Sequence, residues 1–489
     1  SRPNTREKQM SSEARSELGP DKYGSHHAAS SILLLFTMFQ SFLTTGIIYG
    51  WPAFLLMLRS EGVYKDRCSS DATDHDCRSR VVAFNFIFSL GTFINVAGSL
   101  AFGRIVDLLG PKKSILTGVT LTILGSCIVA FAPVESSIAW PAAYVAYGLG
   151  GTIAHLPSFS LGNAFGKAKG LVVSILVTTF SLSCLTFQVM QFMYEHGGYT
   201  RRAIFCGHAV LEAINFLISL WLWPHRALQP GDRLEFARCG LNVVLQNGAE
   251  AASQGGHASL RDSCGAAASF LFLKFSVFHA VQLSLSRYLM GWMSAVITWK
   301  DTQIREGGGH ALNKDIHLTI FNSFQAFLGI SAIPVFGCIA AKTNHRVAPF
   351  AITNLLASLT LACMLVPTEW VLYLVYAFSG WHRQFIFSTF FIFLISEFPL
   401  GSFATLAGIS SFVAGALSYL QNPILNIILG PLGGDFGIPF VIQLVLVVLL
   451  FAFPVLEWLK LRQEPCKPIE AASVAEDEHC NESSTVETI

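Results

Sequence analysis

Long apolar runs recur along this chain and leave few ways for it to fold. A helix of about 20 apolar residues crosses a hydrocarbon core about 30 Å thick, where every backbone polar group needs an internal partner. The runs begin near Ile32, Val81, Ser114, Ile138, Leu171, Ala203, Phe270, Ile316, Val347, Trp370, Phe403 and Ile438. The composition agrees, because only 13% of the 489 residues are charged. The sequence therefore predicts an all-α membrane protein with twelve transmembrane helices.

The runs form two groups of six, separated by a polar, Gly-rich segment. A weak repeat supports duplication, because Phe102-Gly103-x-Ile105 recurs as Phe336-Gly337-x-Ile339 after the second run of each group. Parallel repeats of this kind build many transporters. The predicted organisation is a cytosolic tail over 1–30, a six-helix bundle over 31–224, a cytosolic linker over 225–269, a second six-helix bundle over 270–460 and a disordered acidic cytosolic tail over 461–489.

The basic residues predict an orientation. With both termini inside, 19 of the 32 Lys and Arg residues fall in inner segments and ten in outer loops, as the positive-inside rule favours. We therefore expect a monomeric multi-pass protein with cytosolic termini, in the plasma membrane or in a vacuolar or other organelle membrane. A net charge of +1, with basic residues beside apolar runs, offers no face for nucleic acid.

The cysteines suggest one disulfide and no metal chemistry. Cys68 and Cys77 lie together in the polar loop 59–80 and suit a disulfide if that loop faces an oxidising compartment. Most of the others lie inside apolar runs, where a thiol behaves as a small hydrophobe. The sequence has no C-x-x-C pair, no H-E-x-x-H and no His cluster of metal spacing. We expect no enzyme activity, no metal and no cofactor.

Four charged residues fall inside apolar runs and need an explanation. A charge near the bilayer centre costs about 2.5–3.5 kcal/mol on insertion scales, so it normally faces a cavity or a partner. Lys274 lies near the start of its run, and the simplest interpretation is that it snorkels to the interface. Arg287 and Arg383 lie deeper and suit either a substrate pathway or a packing role. Glu212 is the only acid predicted deep in a run, and a structural pair with a polar neighbour is favoured.

A polar turn between the second and third runs carries a recognisable pattern. It reads G-x-x-x-D-x-x-G-x-[KR]-[KR], with Gly103, Asp107, Gly110, Lys112 and Lys113 at the fixed positions. This turn resembles the signature loop of the major facilitator transporters. The alternative is an ordinary basic membrane loop. The resemblance implies two six-helix halves that rock around a central cavity.

The same resemblance implies a role for the acid of this turn. The Asp107 carboxylate is expected to dock near Ser402, at the start of the eleventh run. Free backbone N–H groups and the helix dipole favour an anion there. This contact is expected to hold the outward-facing state.

Several stretches resemble solute carrier family 43, the L-type amino acid transporters 3 and 4 and their relatives. They are Gly46-Ile47-Ile48-Tyr49-Gly50-Trp51-Pro52, Phe86-Ile87-Phe88-Ser89-Leu90-Gly91-Thr92-Phe93-Ile94-Asn95, Gly162-Asn163-Ala164-Phe165-Gly166, Tyr194-Glu195-His196-Gly197, Arg383-Gln384-Phe385-Ile386-Phe387 and Leu420-Gln421-Asn422-Pro423-Ile424. The resemblance implies facilitated, sodium-independent transport of amino acids across a bilayer. A carrier of nucleobases or other small organic solutes is the alternative within transport, and a transport-inactive sensor or scaffold is the alternative of another class.

Two departures from that family bear on the substrate. The family's fifth span has Phe-Asp-Ser-Ser where this chain has Phe180-Ser181-Leu182-Ser183, and Arg287 stands where relatives tend to have His. Losing an acid and gaining a base disfavours a cationic substrate and favours a neutral or acidic amino acid, with neutral as the leading expectation. Arg383 is the predicted partner of the substrate carboxylate, since a guanidinium matches a carboxylate in a bidentate way. The predicted substrate-binding residues are Tyr49, Ser181, Ser183, Arg287, Tyr288, Arg383 and Gln384.

Overall fold

A computed structural model describes residues 20–68, 77–226, 228, 232–237, 240–244, 265, 267–342, 347–398 and 403–463. The first half of this part of the chain is almost entirely helical. Its α-helices are α1 (Pro20–Thr44), α2 (Trp51–Ser60), α3 (Arg78–Phe131), α4 (Ala139–His155), α5 (Lys169–Leu182), α6 (Leu185–Glu195) and α7 (Arg201–Leu222). Shorter 3₁₀ segments cover Ile47–Gly50, Lys65–Arg67 and Leu156–Ala168.

The second half is helical as well. Its helices are α8 (Phe270–Glu306), α9 (Lys314–Lys342), α10 (Ala348–Met364), α11 (Glu369–Glu397), α12 (Phe403–Tyr419), α13 (Gln421–Leu429), α14 (Gly437–Leu450) and α15 (Ala452–Gln463). The largest cluster of buried apolar residues joins both halves, with Trp51 and Phe54 from the first and Trp292 and Tyr376 from the second. The halves therefore share a packed centre.

Seven helices of the described residues are long and apolar enough to cross a bilayer, and the bent pair Ala28–Thr44 and Ile47–Ser60 makes an eighth. The predicted runs near Ile138, Phe270 and Trp370 also form helices, namely α4, α8 and α11. α8 and α11 bury polar side chains inside the protein, which lowers their average hydropathy. The helical membrane architecture is thus confirmed, while the number of twelve spans stays a prediction.

The connection between the halves contains a strand pair that the sequence patterns did not predict. β1 (Arg233–Ala237) and β2 (Gly240–Val244) form an antiparallel hairpin in which Leu234 faces Val243. Leu234 is fully buried, in a cluster with Leu33 and Trp223 of the first half. The first helix also differs from the expected boundary, because it begins at Pro20, inside the predicted tail.

The first span is broken, and the break brings its backbone close to a neighbouring helix. α1 and α2 meet at a bend of 42°. Gly46, at the break, donates its backbone N–H to Ser183 Oγ at 3.0 Å. A Cβ atom at Gly46 would collide with the carbonyl oxygen of Phe180, so only glycine allows this approach. The 3₁₀ segment after it, Ile47–Gly50, carries the Tyr49 side chain into the protein.

The predicted disulfide is confirmed. Cys68 and Cys77 are bonded, with their Cα atoms 5.7 Å apart. The bond closes the loop between α2 and α3. Arg80, fully buried beside this loop, donates to the carbonyl oxygens of Val63 and Arg59. The loop is therefore tied both covalently and by hydrogen bonds.

Lys274 forms an ion pair that the sequence did not predict, while its expected reach to the membrane interface stays a prediction. Its Nζ lies 2.5 Å from Glu457 Oε1, and the Glu457 residue is only 3% exposed. Glu457 lies in α15, near the end of the last predicted run, so it is not a second acid deep in a run. The sequence pattern missed it because Glu457 lies beyond the apolar core of that run, close to Lys460.

The signature turn depends on a single glycine. α3 runs from the second predicted span into the third, and Gly110 interrupts its helical geometry with φ 75° and ψ 166°. Pro111 follows, where its fixed φ suits the start of a new helical segment. A Cβ atom at position 110 would collide with the carbonyl oxygen of His225, next to the linker. The turn thus packs against the end of the first half.

We predict that Gly110→Ala destabilises the protein. Alanine at positive φ costs roughly 1 kcal/mol or more, and the collision with His225 adds to this. The melting temperature of the purified protein in detergent should fall by several degrees. Gly207→Ala is the matched control, because a Cβ atom at this helical position meets open space. Equal melting temperatures for the two variants would contradict the prediction.

Candidate functional site

Tyr49 lies against two buried arginines from the other half of the chain. The Cζ atoms of Arg287 and Arg383 are each 4.6 Å from the centroid of the Tyr49 ring. Arg287 comes from α8 and Arg383 from α11, and both lie near the middle of their helices. They are 3% and 5% exposed. Two predicted substrate-binding cations, far apart in sequence, therefore meet at one aromatic ring from the broken first span.

The hydroxyl of Tyr49 has a partner on each side. Arg287 Nη2 donates to it at 2.6 Å, and it donates to Asn95 Oδ1 at 2.7 Å. The Asn95 amide in turn donates to Thr152 Oγ1 at 2.7 Å and to the Gly148 carbonyl oxygen at 3.1 Å. This chain fixes the ring relative to α3 and α4. The polar groups of the first half therefore hold Tyr49 where the two guanidinium groups meet it.

Gln384 and Ser181 form a second polar bridge between the halves. The Ser181 hydroxyl donates to Gln384 Oε1 at 2.8 Å. Gln384 Nε2, Arg383 Nη1, Arg383 Nη2 and Arg287 Nη1 are buried donors without a hydrogen-bond partner among the described residues. Buried N–H groups without partners are costly. Four donors with no acceptor make this region suited to an anionic or carbonyl group.

The structure places the remaining predicted substrate-binding residues around this centre. Ser183 Oγ accepts the Gly46 N–H, so its role is at the break of the first span. The Tyr288 hydroxyl donates to the Leu417 carbonyl oxygen at 2.7 Å, and its ring stacks on Trp292 at 4.9 Å. The Tyr288 hydroxyl therefore bonds to the neighbouring helix and not to the arginines.

Glu212 lies in a hydrogen-bonded network of the first half. The Thr44 hydroxyl donates to its carboxylate at 2.9 Å and the Asn215 amide at 2.8 Å, while His208 Nε2 lies 3.8 Å away. Glu212 and Asn215 are both fully buried. Thr44 ends α1 just before the break. Glu212 therefore anchors the broken span through polar partners, as the favoured interpretation had it, and none of its contacts named here involves Arg383.

The signature loop is described only in part. Lys112 is partly buried and Lys113 is exposed, after the turn at Gly110. The backbone of Gly103 and Asp107 is helical. The side chain of Asp107 and the whole of Ser402 lie outside the described residues, so the expected contact between them stays a prediction.

A cavity lies between the halves, beside the disulfide loop. It has a volume of about 580 Å³ and is lined by residues of both halves, including Arg78, Trp299 and Asp435. It shares Val81 and Ala295 with a much smaller cavity of about 10 Å³, which Gly291 also lines. Gly291 lies one helical turn beyond Arg287. Neither of these two cavities is lined by Arg287, Arg383 or Tyr49.

Asn95 and Thr152 were missing from the predicted site although they fix its geometry. Both are polar residues inside apolar runs, and they interact across two adjacent helices. Asn85 and Gln421 are similar, with buried oxygen or nitrogen atoms that lack partners among the described residues, close to Gly291. Polar positions in predicted spans were the signal that was available for all four.

Among the described residues, no group of three or more His, Cys, Asp or Glu side chains has the geometry to hold a metal ion. The chemistry of this centre is that of hydrogen-bond donors, aromatic rings and two fixed positive charges. Its described residues include no nucleophile paired with a base at the arginines.

No protein-family model matches the chain, but individual relatives do. It is 23% identical over 496 residues to arginine transporter 1 of Toxoplasma gondii, covering 91% of this chain and 90% of the relative. It is 21% identical over 449 residues to equilibrative nucleobase transporter 1 of Bos taurus, covering 83% and 90%. It is 24% identical over 207 residues to large neutral amino acids transporter small subunit 3 of Homo sapiens, covering 40% and 37%. The resemblance indicated by the motifs is confirmed as a distant relationship.

Solved structures of transporters share the fold of this chain. The crystal structure of the peptide transporter POT in complex with alafosfalin superposes with a TM-score of 0.57, over 86% of this chain and 93% of that chain, at 14% sequence identity. The chain therefore has the fold of a transporter of the major facilitator type.

We predict that Tyr49→Phe destabilises the protein although it keeps the ring. Removing the hydroxyl takes one partner from Arg287 Nη2 and one from Asn95 Oδ1, at a cost of about 1–3 kcal/mol. Thermal unfolding of the purified protein in detergent measures this loss. Tyr199→Phe is the control, because Tyr199 is 54% exposed. Wild-type stability of Tyr49→Phe would show that the hydroxyl is not needed to hold the cluster.

Proposed function

We propose that this protein is a facilitative, sodium-independent transporter of amino acids that works by alternating access. The relatives named above include amino acid transporters. The observation that carries the proposal is the pair of buried guanidinium groups, Arg287 and Arg383, in the middle of two helices and at the boundary between the halves. Ionisable groups inside membrane-spanning helices cost free energy to bury and mark substrate or ion pathways.

Arg383 and Gln384 bind the α-carboxylate of the substrate in this proposal. Arg383 offers two free terminal N–H groups and Gln384 a free amide N–H on adjacent residues of α11. A planar guanidinium donates two parallel hydrogen bonds to a carboxylate, and a buried site strengthens both. Tyr49 holds the guanidinium from its ring face, and Arg287 contributes a second positive charge.

The cavity beside the disulfide loop is the proposed entry path. Its walls belong to both halves, and the smaller cavity next to it is constricted at Gly291, where a Cβ atom would lie 2.8 Å from Asn85 Oδ1. Rocking of the halves opens this constriction and closes the opposite side. The polar bridges Arg287 to Tyr49 and Gln384 to Ser181 cross the moving boundary, so substrate binding acts on the contacts that rearrange.

The remaining architecture follows from the same proposal. Twelve spans in two six-helix bundles place both termini in the cytosol and the disulfide loop outside, most simply in the plasma membrane, with a monomer as the working unit. Asp107 in the signature loop holds the outward-facing state through a contact near Ser402. Nineteen inner Lys and Arg residues against ten outer ones support this orientation.

Nucleobase transport is the second candidate. It is favoured by the relative of Bos taurus, which is named an equilibrative nucleobase transporter and covers most of this chain. Aromatic Tyr49 and the donors of Arg383 and Gln384 also suit the ring and carbonyl oxygens of a purine. The two candidates differ in the charge of the group that the arginines would meet.

Counterflow in liposomes separates the candidates. The purified full-length chain is reconstituted with a high internal concentration of one unlabelled solute and tested for accumulation of labelled amino acids and labelled purines, without sodium. We expect accumulation of amino acids. Accumulation of purines alone would establish the second candidate, and accumulation of neither would contradict both.

We predict that Arg383→Lys loses most uptake, about tenfold or more, although the charge is kept. An ammonium cannot form the two parallel hydrogen bonds of a guanidinium, and each charge-assisted bond is worth about 1.5–3 kcal/mol. Initial rates of uptake, corrected for the amount of reconstituted protein, measure the loss. Arg226→Lys, in the partly exposed ion pair with Asp232, is the control and should transport normally.

Amino acid amides and esters should compete poorly with free amino acids for the wild-type protein, because they lack the carboxylate. Equal competition by a carboxyl-blocked analogue would return Arg383 to a structural role.

A further inference from the structure

The charge at the centre of the protein is larger than one amino acid neutralises. Arg287 and Arg383 contact the same Tyr49 ring at 4.6 Å, so their Cζ atoms are no more than twice that distance apart. Both residues are almost fully buried. Two like charges this close repel each other strongly in a medium of low dielectric constant.

No described acid pairs with either arginine. Salt bridges within the described part of the chain include Lys274 to Glu457, Arg226 to Asp232, Arg305 to Asp301 and Arg201 to Glu61, and none involves Arg287 or Arg383. Lys274 is the useful comparison, because it also lies inside an apolar run and has a buried carboxylate at 2.5 Å. The partly buried Lys274 thus has a carboxylate partner, whereas Arg287 and Arg383 have none among the described residues.

The free donors show where the missing negative charge belongs. Arg383 Nη1 and Nη2 and Arg287 Nη1 are buried without partners among the described residues, and so is Gln384 Nε2. A single carboxylate accepts from one guanidinium in the bidentate manner. At least one cationic N–H of the other arginine then remains free.

An amino acid zwitterion does not change the net charge of this site, because its own net charge is zero. Its α-carboxylate offsets the charge of one guanidinium, but its ammonium group adds a positive charge at the same site. Buried charges without compensation are strongly unfavourable. A neutral amino acid alone therefore leaves the centre with the same excess of two positive charges.

We propose that a second anionic group binds at the two arginines together with the α-carboxylate, held by Arg287 beside Tyr49. This inference rests on the proposed amino acid transport and goes beyond it by assigning a second anion site. Two sources share this chemistry: the side-chain carboxylate of an acidic amino acid, and a small inorganic anion such as chloride. Arg287 has one free terminal nitrogen for it, since the other donates to Tyr49.

Wild-type uptake tests the proposal without any variant. Liposomes containing the full-length chain are assayed with labelled leucine and labelled glutamate, in sodium chloride and in sorbitol of equal osmolarity with a zwitterionic buffer. If the anion is inorganic, leucine uptake falls about tenfold in sorbitol, the effect expected when a buried charge loses its partner. If the substrate supplies the anion, glutamate exceeds leucine in both media.

Uptake of leucine that is equal in both media and at least as fast as that of glutamate would overturn the second anion site while leaving amino acid transport intact. Uptake of neither amino acid, in an otherwise complete screen, would contradict the proposed function instead. The two failures are therefore distinguishable.

Arg287→Gln ties the effect to the arginine, because it removes one of the two positive charges and keeps a donor for Tyr49. The ratio of leucine uptake in chloride to that in sorbitol should approach one, and any preference for glutamate should fall about tenfold. Lys300→Gln is the matched control: Lys300 is also buried but donates to Gln303 and the Val366 carbonyl oxygen, away from Tyr49. It should keep the wild-type ratio.

Thermal unfolding in detergent gives a readout independent of transport. Chloride or glutamate should raise the melting temperature of the wild-type and Lys300→Gln proteins relative to sorbitol, and should raise that of Arg287→Gln less. Equal shifts in all three proteins would mean general salt stabilisation and would overturn the assignment of the anion to Arg287.

Discussion

The contact of two guanidinium groups with the Tyr49 ring is the interaction on which the centre of this protein depends. Arg287 and Arg383 come from different helices of the second half, and Tyr49 comes from the first half. A cation over an aromatic face gains about 0.5–2 kcal/mol, which is less than the cost of burying a charge. The ring therefore orients the arginines without neutralising them. In the proposed function, an anion bound at the arginines supplies the remaining compensation.

This arrangement requires the first span to be broken. A continuous α-helix would pair all its backbone groups internally and would carry Tyr49 along a regular helical face. The bend of 42° and the 3₁₀ segment Ile47–Gly50 bring the backbone against Phe180 and Ser183 instead. Glu212 fixes the helix end before the break through Thr44. Buried polar groups of the first half thus set the position of Tyr49, which the arginines of the second half contact.

The protein handles buried charge in two different ways. Lys274 and Glu457 form a closed pair with favourable geometry, which holds the first and last spans of the second half together. Arg287 and Arg383 keep free donors. Removing one partner of the Lys274 and Glu457 pair would leave one uncompensated charge, whereas Arg287 and Arg383 are two charges without a described carboxylate partner. That contrast distinguishes the scaffold ion pair of Lys274 from the arginine cluster at Tyr49.

The sequence by itself determined the helical membrane architecture, the disulfide and the two arginines inside apolar runs. These follow from local quantities: hydropathy over about 20 residues, the spacing of turn residues and the cost of a charge in hydrocarbon. Only the tertiary structure decided which side chains meet. Tyr49 and Arg287 are 238 positions apart, and their contact depends on how two bundles pack. The same reason explains the Glu457 partner of Lys274, the Asn95 support of Tyr49 and the hairpin beside Trp223, since each pairing joins segments that no local pattern relates.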